Sequence, residues 1–134
     1  MSNGVTDLRH DLKVMGLVGS AHASSHFFHL ILPPLFPILK LDFNVSFAAL
    51  GLLPTLFYGA SGIAQTIAGF LVDRFGARRV LLLGLTLLSL SVIGYGFCFS
   101  FWGLMFFSIT AGLGNSVFHP ADLSILTNKI STSP

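Results

Sequence analysis

In a chain of 134 residues, 53% are hydrophobic and 9% are Asp, Glu, Lys or Arg, against about 25% charged in an ordinary soluble domain. The net charge of +2 requires no nucleic-acid partner, and the single cysteine, Cys98, excludes an internal disulfide. Residues 14–39, 45–72 and 80–121 contain no charged side chain at all, which excludes helices with the polar faces of a soluble core.

A membrane-spanning helix needs about 20 apolar residues, so the first two runs hold one span each. The third would measure about 63 Å as one helix at 1.5 Å per residue, too long for one crossing. It is expected to break near residues 99–103, where Trp102 suits an interfacial anchor. The expected architecture is all-α. A polar tail over 1–13 precedes a transmembrane region over 14–127, with spans near 14–37, 46–71, 79–98 and 102–126. A polar end over 128–134 follows. Ala21-His22-Ala23 resembles a signal-peptidase site, but residues 14–19 are too short an apolar region before it, so the first span is expected to be retained.

The first span carries His22, His26 and His29. At 100° per residue they fall within about 60° of one another, with Ser25 beside them. A polar stripe in lipid faces the bundle interior or a water-filled cavity. Two roles remain open for it: lining a transport path, where the histidines bind substrate or carry protons, and structural hydrogen bonding. Histidines at i and i+4 also suit a shared metal ion, but no cysteine or acidic residue nearby completes a ligand set, so neither metal nor cofactor is expected. Pro33, Pro34 and Pro37 are expected to kink or end this helix.

The second span has Ala60, Ala64 and Ala68 at a spacing that allows close helix approach, and Gln65, expected to face inward as interhelical contact or cavity residue. Between the second and third spans, Asp73, Arg74, Arg78 and Arg79 cluster in a loop that must sit at a membrane face. Gly69 is expected to allow close helix approach there, and Gly76 a tight turn. Asp73 stands at a helix C-terminus, electrostatically a poor place, and would be better served facing Arg78, Arg79 or another helix N-terminus. In the fourth span Gly112 and Gly114 are further packing candidates. His119 precedes Pro120, whose missing N–H frees a carbonyl that the imidazole is able to satisfy. Asp122 lies near the end of this span, for proton exchange, helix capping or solvation.

With four spans, Arg9, Lys13, Arg74, Arg78, Arg79 and Lys129 share one side and Lys40 has the other. The positive-inside rule then places both termini in the cytoplasm.

Gly69, Leu71, Asp73, Arg74, Gly76, Arg78 and Arg79 resemble the loop between the second and third helices of the major facilitator superfamily, whose pattern runs Gly-x-Leu-x-Asp-Arg-x-Gly-Arg-Arg. Ala77 departs from it, where the family often has Arg. The stretch from Gly112 to Ala121, Gly-Leu-Gly-Asn-Ser-Val-Phe-His-Pro-Ala, is similar to that of the fosmidomycin-resistance branch. That branch carries a first-helix His four residues before a polar residue, often Asp; here His22 and His26 take those places. The arginine often found in the fourth helix of proton-linked exporters is absent, with Ser108 in its place.

The resemblance implies four helices forming the first part of an N-terminal six-helix half, in a secondary transporter of the cytoplasmic (inner) membrane, with drug efflux among its functions. The charged loop would gate the cytoplasmic side against helices of the C-terminal half. The candidate path residues are His22, His26, His29, Gln65, His119 and Asp122. Implied partners are membrane lipid, the missing C-terminal helices, a small-molecule substrate and protons. Alternating access needs two six-helix halves, so the chain is expected to be the N-terminal third of a transporter and inactive alone. The alternative is a complete four-span protein, either a homo-oligomeric transporter or a structural partner. Small exporters of that kind place a carboxylate in the first span, and this chain has none there. No nucleophile–base pair or phosphate-binding loop points to an enzyme.

Overall fold

The computed structural model describes the backbone of residues 3–129 and the side chains of residues 8–128. Most of the expected end segment 128–134, the side chain of Lys129 and residues 1–2 lie outside the described residues. Helix α1 runs Asn3–His29, α2 Phe36–Asp42, α3 Phe47–Leu50, α4 Leu52–Phe75, α5 Ala77–Tyr95, α6 Phe101–Asn115 and α7 Phe118–Lys129. Among the described residues, three stretches are long and apolar enough to cross a membrane: Phe47–Phe75, Ala77–Tyr95 and Phe101–Asn128. Helix α1, where the first span was expected, is not among them: Arg9, Asp11 and Lys13 fall within the helix ahead of the apolar run, and histidines and serines interrupt the run itself.

Local chemistry accounts for the ends. Helix α1 continues the polar segment from Asn3 without a separate tail, since Leu8, Arg9, Leu12 and Lys13 are all good helix formers. It stops at His29, before the proline cluster. Pro33–Leu35 forms a single 3₁₀ turn, and α2 follows with Pro37 in its first turn, where the missing N–H has no intrahelical partner to lose. Asn44 turns the chain with φ 49°, and the Ser46 hydroxyl accepts from Ala49 N–H at 3.1 Å to cap α3. Ser100 caps α6 in the same manner through Gly103 N–H, and Phe99 beside it is almost fully exposed.

Gly76 alone joins α4 to α5. Its φ of 86° and ψ of 138° belong to a region that side chains with a Cβ avoid. Its N–H closes α4 on Val72 C=O at 2.9 Å. The stretch expected as one fourth span is two helices, broken at Ser116–Val117. Pro120 explains the break, because it cannot donate to the Ser116 carbonyl one turn earlier.

Helix α6 sits at the centre of the bundle, packed against α4 and α5, while α7 packs on α5, α1 and α4. Glycines set the separations. A Cβ at Gly112 would collide with the Phe57 carbonyl and meet the Ala60 Cβ at 3.1 Å; one at Gly114 would lie 2.7 Å from Leu88 N and 2.8 Å from Gly84 O. At Gly69 a Cβ would meet nothing within 4 Å, contrary to the expected close approach, because no described helix covers that face of α4. One apolar core joins Phe57, Val72, Leu88, Ala111, Phe118 and Ala121; a second, at the proline end, joins Leu32, Leu50, Leu53 and Leu104.

Candidate functional site

The histidine face of α1 meets the α6–α7 break. His22 Nδ1 lies 2.7 Å from Asp122 Oδ2 on α7, one hundred positions along the chain. An ionised carboxylate only accepts, so Nδ1 carries the hydrogen and Nε2 is left as the acceptor of a neutral ring. His26 Nε2 lies 3.0 Å from that Nε2, and when the His22 ring is neutral in this tautomer His26 is the donor. The His119 ring stands edge-on to His22 with centroids 5.4 Å apart, and His26 contacts His29 in the same manner at 5.2 Å. The Ser25 hydroxyl, buried, donates to His22 C=O at 2.9 Å.

A second arm starts at His29. Its Nε2 donates to Asn115 Oδ1 at 2.7 Å, and Asn115 Nδ2 donates to Ser61 Oγ at 2.9 Å. Helices α1, α6 and α4 are thereby tied by side-chain hydrogen bonds at one level. Phe57 and Tyr58 stand edge-on to the His29 ring, 4.6 and 5.7 Å away between centroids. Helix α1 is thus held on both sides of the break, to α7 by His22 and to α6 by His29.

Burial grades the cluster. The Asp122 side chain is 10% exposed and His22 33%, while His26 and His119 are exposed. Asp122 Oδ1 is buried with no hydrogen-bond partner. The exposed side is an open groove of about 600 Å³ between α1 and α7. Met15, Val18, Leu123 and Leu126 give it apolar walls around His22, His26, His119 and Asp122. An apolar groove with a few convergent polar groups suits a small molecule, and the imidazole chain suits proton transfer. Among the described residues no group of three or more His, Cys, Asp or Glu is arranged to hold a metal ion.

Five of the six candidate path residues therefore come together: His22, His26, His29, His119 and Asp122. Gln65 does not join them and lies exposed on α4. His119 turns its ring to His22, and no hydrogen bond runs from it to the carbonyl freed by Pro120. Asn115 and Ser61 were not assigned a role from the sequence. The signal for both is a polar side chain within an otherwise apolar helix, where hydrogen-bond partners are other protein groups.

The charged loop is a separate feature. Asp73, Gly76, Ala77, Arg78 and Arg79 border a groove of about 530 Å³ whose far wall is Ser124, Ile125 and Asn128 of α7. Asp73 is exposed and makes no ion pair with Arg78 or Arg79, whereas Arg74 stacks on Phe75, 5.7 Å from its ring centroid. Leu71 is exposed and Gly69 half-buried.

The sequence model of the Major Facilitator Superfamily matches residues 18–131. Among curated proteins, the chain is similar to two uncharacterized MFS-type transporters of Bacillus subtilis (strain 168). It is 34% identical to YwoD over 66% of this chain and 20% of that protein. It is 27% identical to YfnC over 80% of this chain and 26% of that protein. It is also 23% identical to the fosmidomycin resistance protein of Escherichia coli (strain K12), over 86% of this chain and 28% of that protein. The chain spans between a fifth and somewhat over a quarter of the length of these relatives. No solved structure matches it.

Proposed function

Since the chain belongs to the major facilitator superfamily, we propose that it forms the N-terminal portion of a secondary active transporter. That transporter moves a small molecule across the cytoplasmic membrane by alternating access, with both termini of this chain in the cytoplasm. The observation that carries the reading is the polar chain from Asp122 through His22 and His26, beside an open groove in an otherwise apolar bundle. Lone polar groups in lipid are expensive, and a linked set of them along a groove is what a translocation path requires. The similarity to a fosmidomycin resistance protein makes drug export the first direction to test.

On this reading the helices beyond this chain supply the other wall of the path, and the 134-residue chain does not transport by itself. Membrane lipid surrounds α4 and α5, whose outward faces carry Ile63, Ile67, Phe70, Leu83, Leu90 and Ile93. The loop at Asp73 serves as a cytoplasmic gate element facing the C-terminal half, and nucleic acid has no part.

The test is drug accumulation in cells expressing the complete transporter, with His22→Gln or Asp122→Asn compared at equal membrane insertion. Lost efflux with intact insertion supports the path assignment. Undiminished efflux in both variants overturns it and leaves the cluster a structural element.

A further inference from the structure

We propose that the seam between α4 and α5 seats one phospholipid with a net negative headgroup, its phosphate between Arg74 and Arg79 and one acyl chain along the seam. This is a single seat for one lipid class, apart from the lipid that surrounds the helices. It rests on the reading of the chain as embedded in a membrane with the charged loop at one face, and it makes no use of the histidine cluster.

The shape of this face is set by the single-residue join at Gly76, beyond which α4 and α5 each pack on α6 more than on one another. They leave an open groove of about 450 Å³. Ile67, Leu71 and Phe75 of α4 form one wall and Leu83 and Leu87 of α5 the other, all of them exposed. Leu113 and Gly114 of α6 form the floor. Ser116 brings the one hydroxyl to the lining, and that hydroxyl already donates to Leu113 C=O at 2.7 Å.

Length and charge identify the occupant. From Ala64 to Phe75 the groove follows α4 for about 17 Å at 1.5 Å per residue. The hydrocarbon core of a bilayer is about 30 Å thick, so the groove runs the depth of one leaflet. A spanning helix from elsewhere in the protein would need a face about twice as long, whereas an acyl chain needs only this one. At the loop end the Arg74 guanidinium lies 5.7 Å from the Phe75 ring centroid, and Arg79 stands one turn before Leu83 on the same face of α5. Among the described residues neither arginine forms an ion pair. Asp73 stands about 160° round α4 from Phe75, and it borders the groove against α7 instead. The mouth of an apolar seam is therefore flanked by two unpaired guanidinium groups, the arrangement by which helix bundles hold anionic headgroups at their cytoplasmic side. Guanidinium pairs with phosphate oxygens through two parallel hydrogen bonds. A choline headgroup would bring a second cation to this mouth, so the seat selects headgroups without one.

The experiment places the chain in vesicles of phosphatidylcholine with a growing fraction of phosphatidylglycerol brominated on its acyl chains, which quench tryptophan on contact. Trp102→Phe removes the native fluorophore. Leu83→Trp reports from the seam. Phe70→Trp, exposed on α4 at a similar distance from Gly76 but outside the groove lining, reports on the surrounding lipid. The expected midpoint of quenching at Leu83→Trp falls at a phosphatidylglycerol fraction about tenfold below that at Phe70→Trp. Arg79→Gln moves the seam midpoint about fivefold toward the control, and raised salt weakens the preference at the seam alone. Equal midpoints at the two positions overturn the seat. So does a preference that survives Arg74→Gln combined with Arg79→Gln, or brominated phosphatidylcholine that quenches the seam equally well. Release of the brominated lipid by soluble glycerol phosphate at the same concentration would reveal a phosphate site without a chain seat, and also overturns it. Loss of seam quenching in the complete transporter would show that a protein segment covers this face. The salt series needs no arginine variant, should one not fold. Quenching at neither position would refute the membrane reading itself, so the two failures are distinguishable.

Discussion

Asn115 is the residue whose loss should be felt most directly, because it accepts from His29 and donates to Ser61 from a buried position. Interhelical hydrogen bonds in lipid are individually modest, about 0.6 kcal/mol on average and about 1.7 at most. Asn115→Leu should therefore destabilise the bundle by about 1–2 kcal/mol, read as an earlier loss of helix signal on titrating SDS into mixed micelles. Ser20→Ala is the control: its exposed hydroxyl bonds only to Gly16 C=O of its own helix, and the change should stay within about 0.5 kcal/mol. The histidine stripe was legible in the sequence, since helical periodicity is a local property. The partners of the stripe were not. Asp122 lies 100 positions from His22 and Asn115 lies 86 from His29, and nothing in their spacing distinguishes a cross-helix contact from a helix cap or a solvated end.

Among the helices, the glycines separate into those that matter and those that do not. Gly114→Ala places a Cβ 2.7 Å from a backbone nitrogen and 2.8 Å from a backbone oxygen of α5, neither of which a rotamer change can move. It should cost about 1–3 kcal/mol by pushing α5 and α6 apart. Gly76→Ala should cost about as much for a different reason, the backbone strain of φ 86° in open space. Gly62→Ala meets nothing within 4 Å and should be neutral or stabilise α4 by up to about 1 kcal/mol. The same unfolding titration ranks all three, and equal effects at Gly114 and Gly62 would refute this account of the α5–α6 contact. The tight turn at Gly76 was readable from a glycine between charges and long apolar runs. The open face at Gly69 was not, because small-residue spacing shows that a helix allows close approach without showing that another helix approaches there. The α6–α7 break had a written cause in Pro120, yet hydropathy runs smoothly across it, and a proline kinks some helices without dividing them.

For the molecule as a whole, the proposed orientation puts the α5–α6 turn on the side opposite the charged loop. Phe99, 98% exposed in that turn, offers a labelling position. Phe99→Cys in a Cys98→Ser background should react with a membrane-impermeant thiol reagent added outside spheroplasts, and labelling only after lysis would reverse the assigned orientation. Asp73→Asn in the complete transporter should reduce transport by tenfold or more, a barrier change of about 1.4 kcal/mol, while insertion is unchanged; wild-type rates would make the loop an anchor and nothing more. The sequence by itself determined the all-helical class, the long apolar runs, the charged loop and the family likeness, because apolar run length and a contiguous loop motif are written along the chain. Only the tertiary structure decided that α1 is clasped to both halves of a broken fourth segment, that Asp122 supplies the acidic partner its first helix lacks, and that Gln65 stands apart. Those outcomes depend on which faces of distant helices meet, and that is set by close packing at Gly112, Gly114 and Ala60 rather than by any local pattern.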